Sequence, residues 1–256
     1  MNEFKQHQFA INPGNAINTF VLPFVFTDKV KEAVESIWKN HNPAEHRLIL
    51  IDNSSEEFED RKWLEENSHV YIRSYRNLGP AVAFNLGIEM ARTKYVTIFS
   101  DDARAINQEW FLDASSRLEA RDRKSFNTFD NIKGSIISAN SIHPQDILKD
   151  EFYNPKYDYN QGEYLELDKN YGSRAKGFGL ACAIGSRPSW AKAGLFDEEQ
   201  YIYSIDGTFA AQAEKNMINC FYGGIVFHYG DQSHKGRLVE EGKYQQTGIL
   251  DGKVVL

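Results

Sequence analysis

The chain has 256 residues, of which 41% are hydrophobic and 25% charged, and its formal net charge is -7. That composition supplies an ordinary globular core. It argues against a binder of nucleic-acid backbones, which needs a basic footprint, while leaving small anionic ligands open. Two cysteines, Cys182 and Cys220, sit in apolar stretches and read as buried free thiols of a reducing compartment. The polar N-terminal stretch MNEFKQHQFAINPGN lacks the apolar segment of a signal peptide. No run reaches the ~20 apolar residues of a membrane span. The expectation is a soluble cytoplasmic protein with at most peripheral contact at the inner face of a membrane.

Strand and helix patterns alternate through the first half. Residues 17–26 (INTFVLPFVF) form a β-branched and aromatic run, and 28–40 place Val30, Val34, Ile37 and Trp38 on one helical stripe. Residues 47–52 (RLILID) predict a short apolar strand. Residues 55–67 predict a helix with an acidic first turn and a serine available as N-cap. A strand at 69–75 follows, then a helix at 79–93 with Pro80 in its first turn, then a strand at 94–100. Apolar strands separated by helices indicate parallel βαβ units with both sheet faces covered. Ligands of such sheets bind outside the carboxyl ends of the strands.

The second half is less regular. The patterns predict a helix at 109–123 and a strand at 133–142. The Tyr-, Asp- and Asn-rich segment 149–173 reads as a hairpin or a binding loop. A strand and then a short helix from near Pro188 occupy 175–199, followed by a helix at 204–216 and a strand at 218–230. With no repeat and no clear linker, a single domain over 1–256 is expected.

The predicted strand mouths carry the chemistry. The first ends at Pro23, Phe24 and Phe26, the second at Asp52-Asn53-Ser54, the third at Arg76-Asn77-Leu78-Gly79, and the fourth at Ser100-Asp101-Asp102. A solvated turn would look similar at any one mouth; acids and amides at three of four is the informative coincidence. Adjacent carboxylates at the end of a buried strand repel one another, unless a cation sits between them. No GxGxxG follows the first strand, and neither GxxxxGK[ST] nor GxSxG occurs. A nucleotide would therefore be held by side chains and a metal ion.

Taken in order, FVLPFVFTDKVKEAVESI, LILIDNSS, YRNLGPAVAFNLGIEMARTKYVTIFSDDA, GLFDEE, YSIDGTFAAQAEK and VFHYGDQS resemble the family 2 glycosyltransferases. Within that family the pattern looks closest to rhamnosyltransferase-like enzymes of surface polysaccharide assembly. The resemblance implies an α/β GT-A fold, with a mostly parallel central sheet flanked by helices and a smaller acceptor-side β region, its nucleotide-binding half at about 15–103 and its acceptor-binding half at about 104–256. It implies an inverting glycosyltransferase that takes Mn²⁺ or Mg²⁺. The donor would be a nucleotide-diphosphate sugar, with UDP or dTDP favoured because Asp52 suits a uracil or thymine imide. The acceptor would be a glycan or a lipid-linked saccharide, not a nucleic acid.

Carried onto this chain, the nucleotide contacts fall on Pro23, Phe24, Phe26, Asp52, Ser54, Arg76, Asn77, Gly79, Asn85 and Asp101. The metal ligands fall on Asp102, with Asp101 in support, and on His228, with His234 a second candidate. The catalytic base falls on Asp206. The chain departs from the family pattern twice. Ser100 stands where the metal motif has its first acid, and Ile205 and Thr208 flank Asp206 where acids are usual. Those departures keep open a non-catalytic nucleotide- or glycan-binding protein. A sugar nucleotidyltransferase would need a Gly-rich basic loop that FVFTDKVK does not supply. Residues 230–248 read equally as a lid or as a surface tail, and Lys176 and Arg187 as phosphate contacts or surface charges.

Overall fold

A computed structural model describes residues 4–8, 16–25, 27–54, 57–105, 108–127, 134–142, 177–199 and 205–228. Its elements run β1 (Phe4–Gln8), β2 (Asn18–Phe24), α1 (Thr27–Asn40), β3 (His46–Asp52), α2 (Arg61–Glu66), β4 (Val70–Ser74), α3 (Pro80–Met90), β5 (Tyr95–Phe99), β6 (Ala103–Arg104) and α4 (Glu109–Asn127). They continue with β7 (Gly134–Ile142), β8 (Cys182–Ser186), α5 (Arg187–Ala193), α6 (Ile205–Lys215) and β9 (Ile218–His228). Among the described residues the strands form one nine-stranded sheet in the order β1-β4-β3-β2-β5-β8-β7-β9-β6. β4, β3, β2 and β5 are mutually parallel, and β1, β8 and β6 run antiparallel to their neighbours.

Period two in the strands divides the core between the two faces. Phe20, Leu22, Phe24, Leu48 and Leu50 face α1 and α4, where Val30, Val34, Ile37, Phe111 and Leu118 meet them. Val21, Ile49, Ile51, Val96 and Ile98 face the opposite layer, formed by α3, α5 and α6. Helices therefore cover both faces, as parallel strands require. The fit is closest at Gly87 of α3, where a Cβ would lie 2.1 Å from Val21 Cγ1. Pro23 is tolerated because β2 pairs with β5 only as far as Val21, so the missing N–H lies outside that ladder.

Three elements differ from expectation. The helix expected over 55–67 begins only at Arg61. Asp60 occupies its N-cap without a side-chain capping bond and instead accepts from Lys31 Nζ at 2.8 Å. Residues 57–60 are used to bring Phe58 edge-to-face against Phe24, with ring centroids 5.9 Å apart. β1 has no alternating apolar signal; it adds to the sheet edge by pairing antiparallel to β4, Phe4 opposite Ser74. β6 is too short to leave a pattern. Of the remaining expectations, 149–173 and 230–248, together with Phe26, Lys176 and His234, lie outside the described residues. Arg187 opens α5.

At the other end of the sheet His41 and His46 stack at 4.8 Å between Phe20 and Phe111. Neither ring has a hydrogen-bond partner. Burial pushes His41 down to about 3, helped by His46, and burial pushes His46 down to about 4. A histidine held neutral in the fold but free to protonate in the unfolded chain stabilises the protein fully above pH ~6.5. That stability is lost as pH falls through 6.5 toward the folded value. By pH 5 the loss is about 2 kcal/mol for the first histidine. Urea denaturation at pH 8 and pH 5 will show this loss, and His41→Phe will shrink it. Gly87→Ala will cost about 1–3 kcal/mol by overpacking against Val21, read in the same denaturation.

Candidate active site

The parallel register gathers the strand mouths on one edge. Phe24 of β2 stands opposite Asp52 of β3, which stands opposite Arg73 of β4. Asp52 is fully buried. Its Oδ1 accepts from Ser54 N at 2.9 Å and Ser54 Oγ at 2.5 Å, and its Oδ2 accepts from Tyr71 Oη at 2.6 Å. Arg61 Nε lies 3.6 Å from the same Oδ2 and its guanidinium pairs with Glu57. Burial, then the Asp52 carboxylate, push the Tyr71 hydroxyl up, so it stays protonated and donates. Tyr71 and Arg61 are the residues that sequence reasoning missed here. Nothing local marks them, because their partner lies on another element.

The third mouth is a backbone device. Asn77 Oδ1 accepts from Gly79 N at 2.9 Å, and Asn53 Nδ2 donates to Gly79 O at 3.4 Å. Gly79 has φ 78°, a conformation that favours glycine, and it starts α3 immediately before Pro80. Arg76 is exposed, and its carbonyl accepts from Ser74 Oγ. Asn85, one turn and a half into α3, points to the other half of the molecule. Its Nδ2 donates to Phe196 O at 2.9 Å and Glu198 Oε1 at 3.0 Å, and its Oδ1 accepts from Phe196 N at 2.8 Å.

At the fourth mouth the chain turns at Ser100, with Ala103 N donating to Ser100 O at 3.1 Å. Asp101 and Asp102 are both buried, at 8% and 3% exposure. Burial first, then the neighbouring Asp102, raise the Asp101 carboxyl to about 7, against the pull of the Val25 backbone bond and Arg104. Ser100 Oγ donates to Asp102 Oδ1, and His228 Nε2 lies 3.2 Å from the same oxygen. The serine that replaces an acid thus holds the next acid in place. His228 arrives because β6 pairs antiparallel to β9, with Ala103 opposite His228. Arg104 extends from β6 to Glu32 of α1 at 2.7 Å and caps the Asp101 carbonyl at 3.0 Å.

The structure therefore brings His228 against Asp102, with Asp101 the adjacent residue and held from the end of β2 by the Val25 backbone. Two carboxylates and an imidazole suit a divalent ion of the Mn²⁺ or Mg²⁺ kind, with substrate oxygens completing the shell. Among the described residues no group of three or more His, Cys, Asp or Glu side chains is placed to hold a metal ion, so Asp102 and His228 are the pair that geometry supports. Asp206 is exposed on the first turn of α6, with Oδ1 accepting from Gly207 N at 2.8 Å. The Asp206 charge acts on Tyr222, and Tyr222 donates to Phe178 O at 2.9 Å. Ala181, just before β8, accepts from Ser100 N through its carbonyl at 3.0 Å. Ile205, at the position where an acid is usual, is 2% exposed and belongs to the core.

A βαβ sheet with acids at its strand mouths and a histidine brought in from an added strand defines the class, that of GT-A-fold proteins. Residues 21–134 match the family described as glycosyl transferase family 2. GalNAc-T7, solved with UDP, GalNAc and Mn²⁺, superposes at TM-score 0.58 and 12% identity, covering 85% of this chain and 44% of that one. The mannosyltransferase PcManGT of Pyrobaculum calidifontis, solved with GDP-Man and Mn²⁺, gives 0.58 and 14%, over 90% and 62%. TarS of S. aureus gives 0.53 and 13%, over 92% and 41%. The chain spans from 41% to 62% of the length of these relatives, whose low identity speaks for the fold alone. No curated protein sequence matches significantly.

Tyr71→Phe will leave buried Asp52 one bond short and cost about 1–3 kcal/mol of stability, measured by chemical denaturation.

Proposed function

We propose that the protein is an inverting, divalent-metal-dependent glycosyltransferase that moves a sugar from a nucleotide-diphosphate sugar to a hydroxyl of a glycan or lipid-linked saccharide. The observation that carries this reading is the Asp101–Asp102–His228 constellation at the carboxyl edge of a GT-A sheet. Asp102 and His228 would hold the ion, with Asp101 beside it. The buried, mutually repelling acids are a place where a cation and an anionic donor relieve the cost of burying like charges. When bound, the ion supplies Lewis-acid stabilisation of the leaving diphosphate. The same ion appears in the solved complexes of GalNAc-T7 and PcManGT.

The protein's own residues do the rest. The Asp52-Ser54 and Asn77-Gly79 mouths, with Pro23, Phe24 and Arg76 beside them, shape the nucleoside site. A uracil or thymine imide suits Asp52 once it exchanges one of the partners, Tyr71 or Arg61, that now occupy the carboxylate. Asp206 takes the proton of the acceptor hydroxyl as that oxygen attacks the anomeric carbon from the face opposite the diphosphate. The carbon–oxygen bond to the diphosphate breaks and the configuration inverts. A general base of this kind contributes about 10²–10⁴-fold. The exposed position of Asp206 at a helix start suits it to a large acceptor. Among the described residues no helix is long and apolar enough to cross a membrane, so a lipid-linked acceptor would be met from the membrane surface. The continuous sheet supports one unit over 1–256, with the donor half ending near residue 103.

A thermal-shift panel of UDP-, dTDP- and GDP-sugars, each with and without Mn²⁺, tests donor binding. The expected result is a Mn²⁺-dependent shift with at least one nucleotide, lost in Asp102→Asn. Asp206→Asn should keep that shift while transfer falls 10²–10⁴-fold. A shift without turnover in the unaltered protein would instead make it a binding protein, as the core position of Ile205 favours.

A further inference from the structure

We infer that Asn85 is a positioning residue, which fixes the acceptor-side helix carrying Asp206 against the donor half, and that it does not touch the nucleotide. The inference rests on the glycosyltransferase reading and deepens it. Asn85 is 4% exposed, and both hydrogens of its amide nitrogen and its carbonyl oxygen are engaged by Phe196 and Glu198, 111 and 113 residues away. Nothing on α3 itself shares these bonds.

The loop that Asn85 grips is an unusual one. Gly194 ends α5 at φ 97°, and Leu195 follows at φ 61°, a left-handed conformation that a leucine adopts only when its surroundings impose it. The imposition comes from two sides. From α6, Gln212 Nε2 donates to Ala193 O and Leu195 O, both at 2.9 Å, and from the turn just after it Asn216 Nδ2 donates to Ala193 O at 3.0 Å. From α3, Asn85 holds the next residue, Phe196, by both its N–H and its carbonyl. Phe196 in turn packs at 4.6 Å on Phe209 of α6 and at 5.7 Å on Phe84 of α3. The loop is thus a joint between α3 and α6, and Asn85 is its polar pin.

Each helix brings one part of the site. α3 begins at Gly79, which is bonded to Asn77 and Asn53 at the donor mouth. α6 begins beside Asp206. A shift in the joint would move Asp206 relative to a donor whose own contacts stay intact. A proton acceptor displaced by about 1 Å is enough to slow a reaction ~10²-fold.

The test compares the unaltered protein with Asn85→Ala, Asn85→Asp, Glu198→Ala and the double variant Asn85→Asp/Glu198→Gln. UDP and GDP with Mn²⁺ are titrated calorimetrically, transfer or donor hydrolysis gives kcat and KM, and amide hydrogen exchange is followed over 193–199, 205–215 and 79–90. In Asn85→Asp a carboxylate faces Glu198 and the Phe196 carbonyl. The expected result is nucleotide affinity within twofold of the unaltered protein, kcat at least tenfold lower, and faster exchange over 193–199 and 205–215 but not over 79–90. The double variant restores an amide–carboxylate bond with the roles exchanged, and should recover at least threefold of the lost kcat. Should the Asn85 variants fail to fold, Glu198→Ala, altered on an exposed side chain, is expected to show the same pattern of exchange and unchanged nucleotide affinity. A tenfold loss of nucleotide affinity with unchanged exchange over 193–199 would overturn the inference and make Asn85 a nucleotide contact. Absence of nucleotide binding and turnover in the unaltered protein would overturn the glycosyltransferase reading instead, and the exchange measurements would still judge the joint.

Discussion

Two carboxylates on adjacent residues, both removed from water, have to be kept from expelling one another from the fold. Much of the edge around β5 answers that requirement. Ser100 donates to Asp102, the Val25 backbone supports Asp101, and Arg104 caps the Asp101 carbonyl while reaching Glu32 on α1. The two-residue β6 exists where the chain needs a ladder to β9, and that ladder delivers His228. Even so, Asp101 keeps a carboxyl raised to about 7. Burial is the larger cause and the neighbouring Asp102 charge the smaller.

The donor edge is organised differently. Asp52 is held by Ser54, Tyr71 and Arg61, and it acts as a hub between β3, β4 and α2. Removing a buried carboxylate from such a hub would strand three donors, so the geometry of this mouth is stiff. α3 is joined to the later helices by Phe84 against Phe196, in an aromatic group with Phe178, Trp190 and Phe209, and by the Asn85 amide on the Phe196 backbone and the Glu198 carboxylate.

The central elements were legible from periodicity. β2, β3, β4 and β5 are apolar runs, α1 carries a stripe at helical spacing and α3 follows Pro80 in its first turn, so burial and that proline dictated their type and the parallel pairing. The strand mouths were legible for the same reason, because a parallel sheet puts every carboxyl end on one edge. The start of α2 was not legible. Asp60 and Arg61 choose partners on α1 and β3, and local capping preference yields to them. β1 and β6 carry no pattern, since one is a polar edge strand and the other has two residues.

The sequence by itself determined which residue types stand at the mouths: Asp52, Asn77, Asp101 and Asp102, with Asp206 at a helix start and His228 at a strand end. It did so because short-range alternation of apolar and polar residues encodes burial directly. Only the tertiary structure decided what those residues meet. Ser100 serves Asp102, Tyr71 serves Asp52, and Asn85 serves a loop more than 100 residues further along the chain. Hydrogen bonds depend on positions to within a few tenths of an ångström, and those positions are set by packing between elements that are distant in sequence.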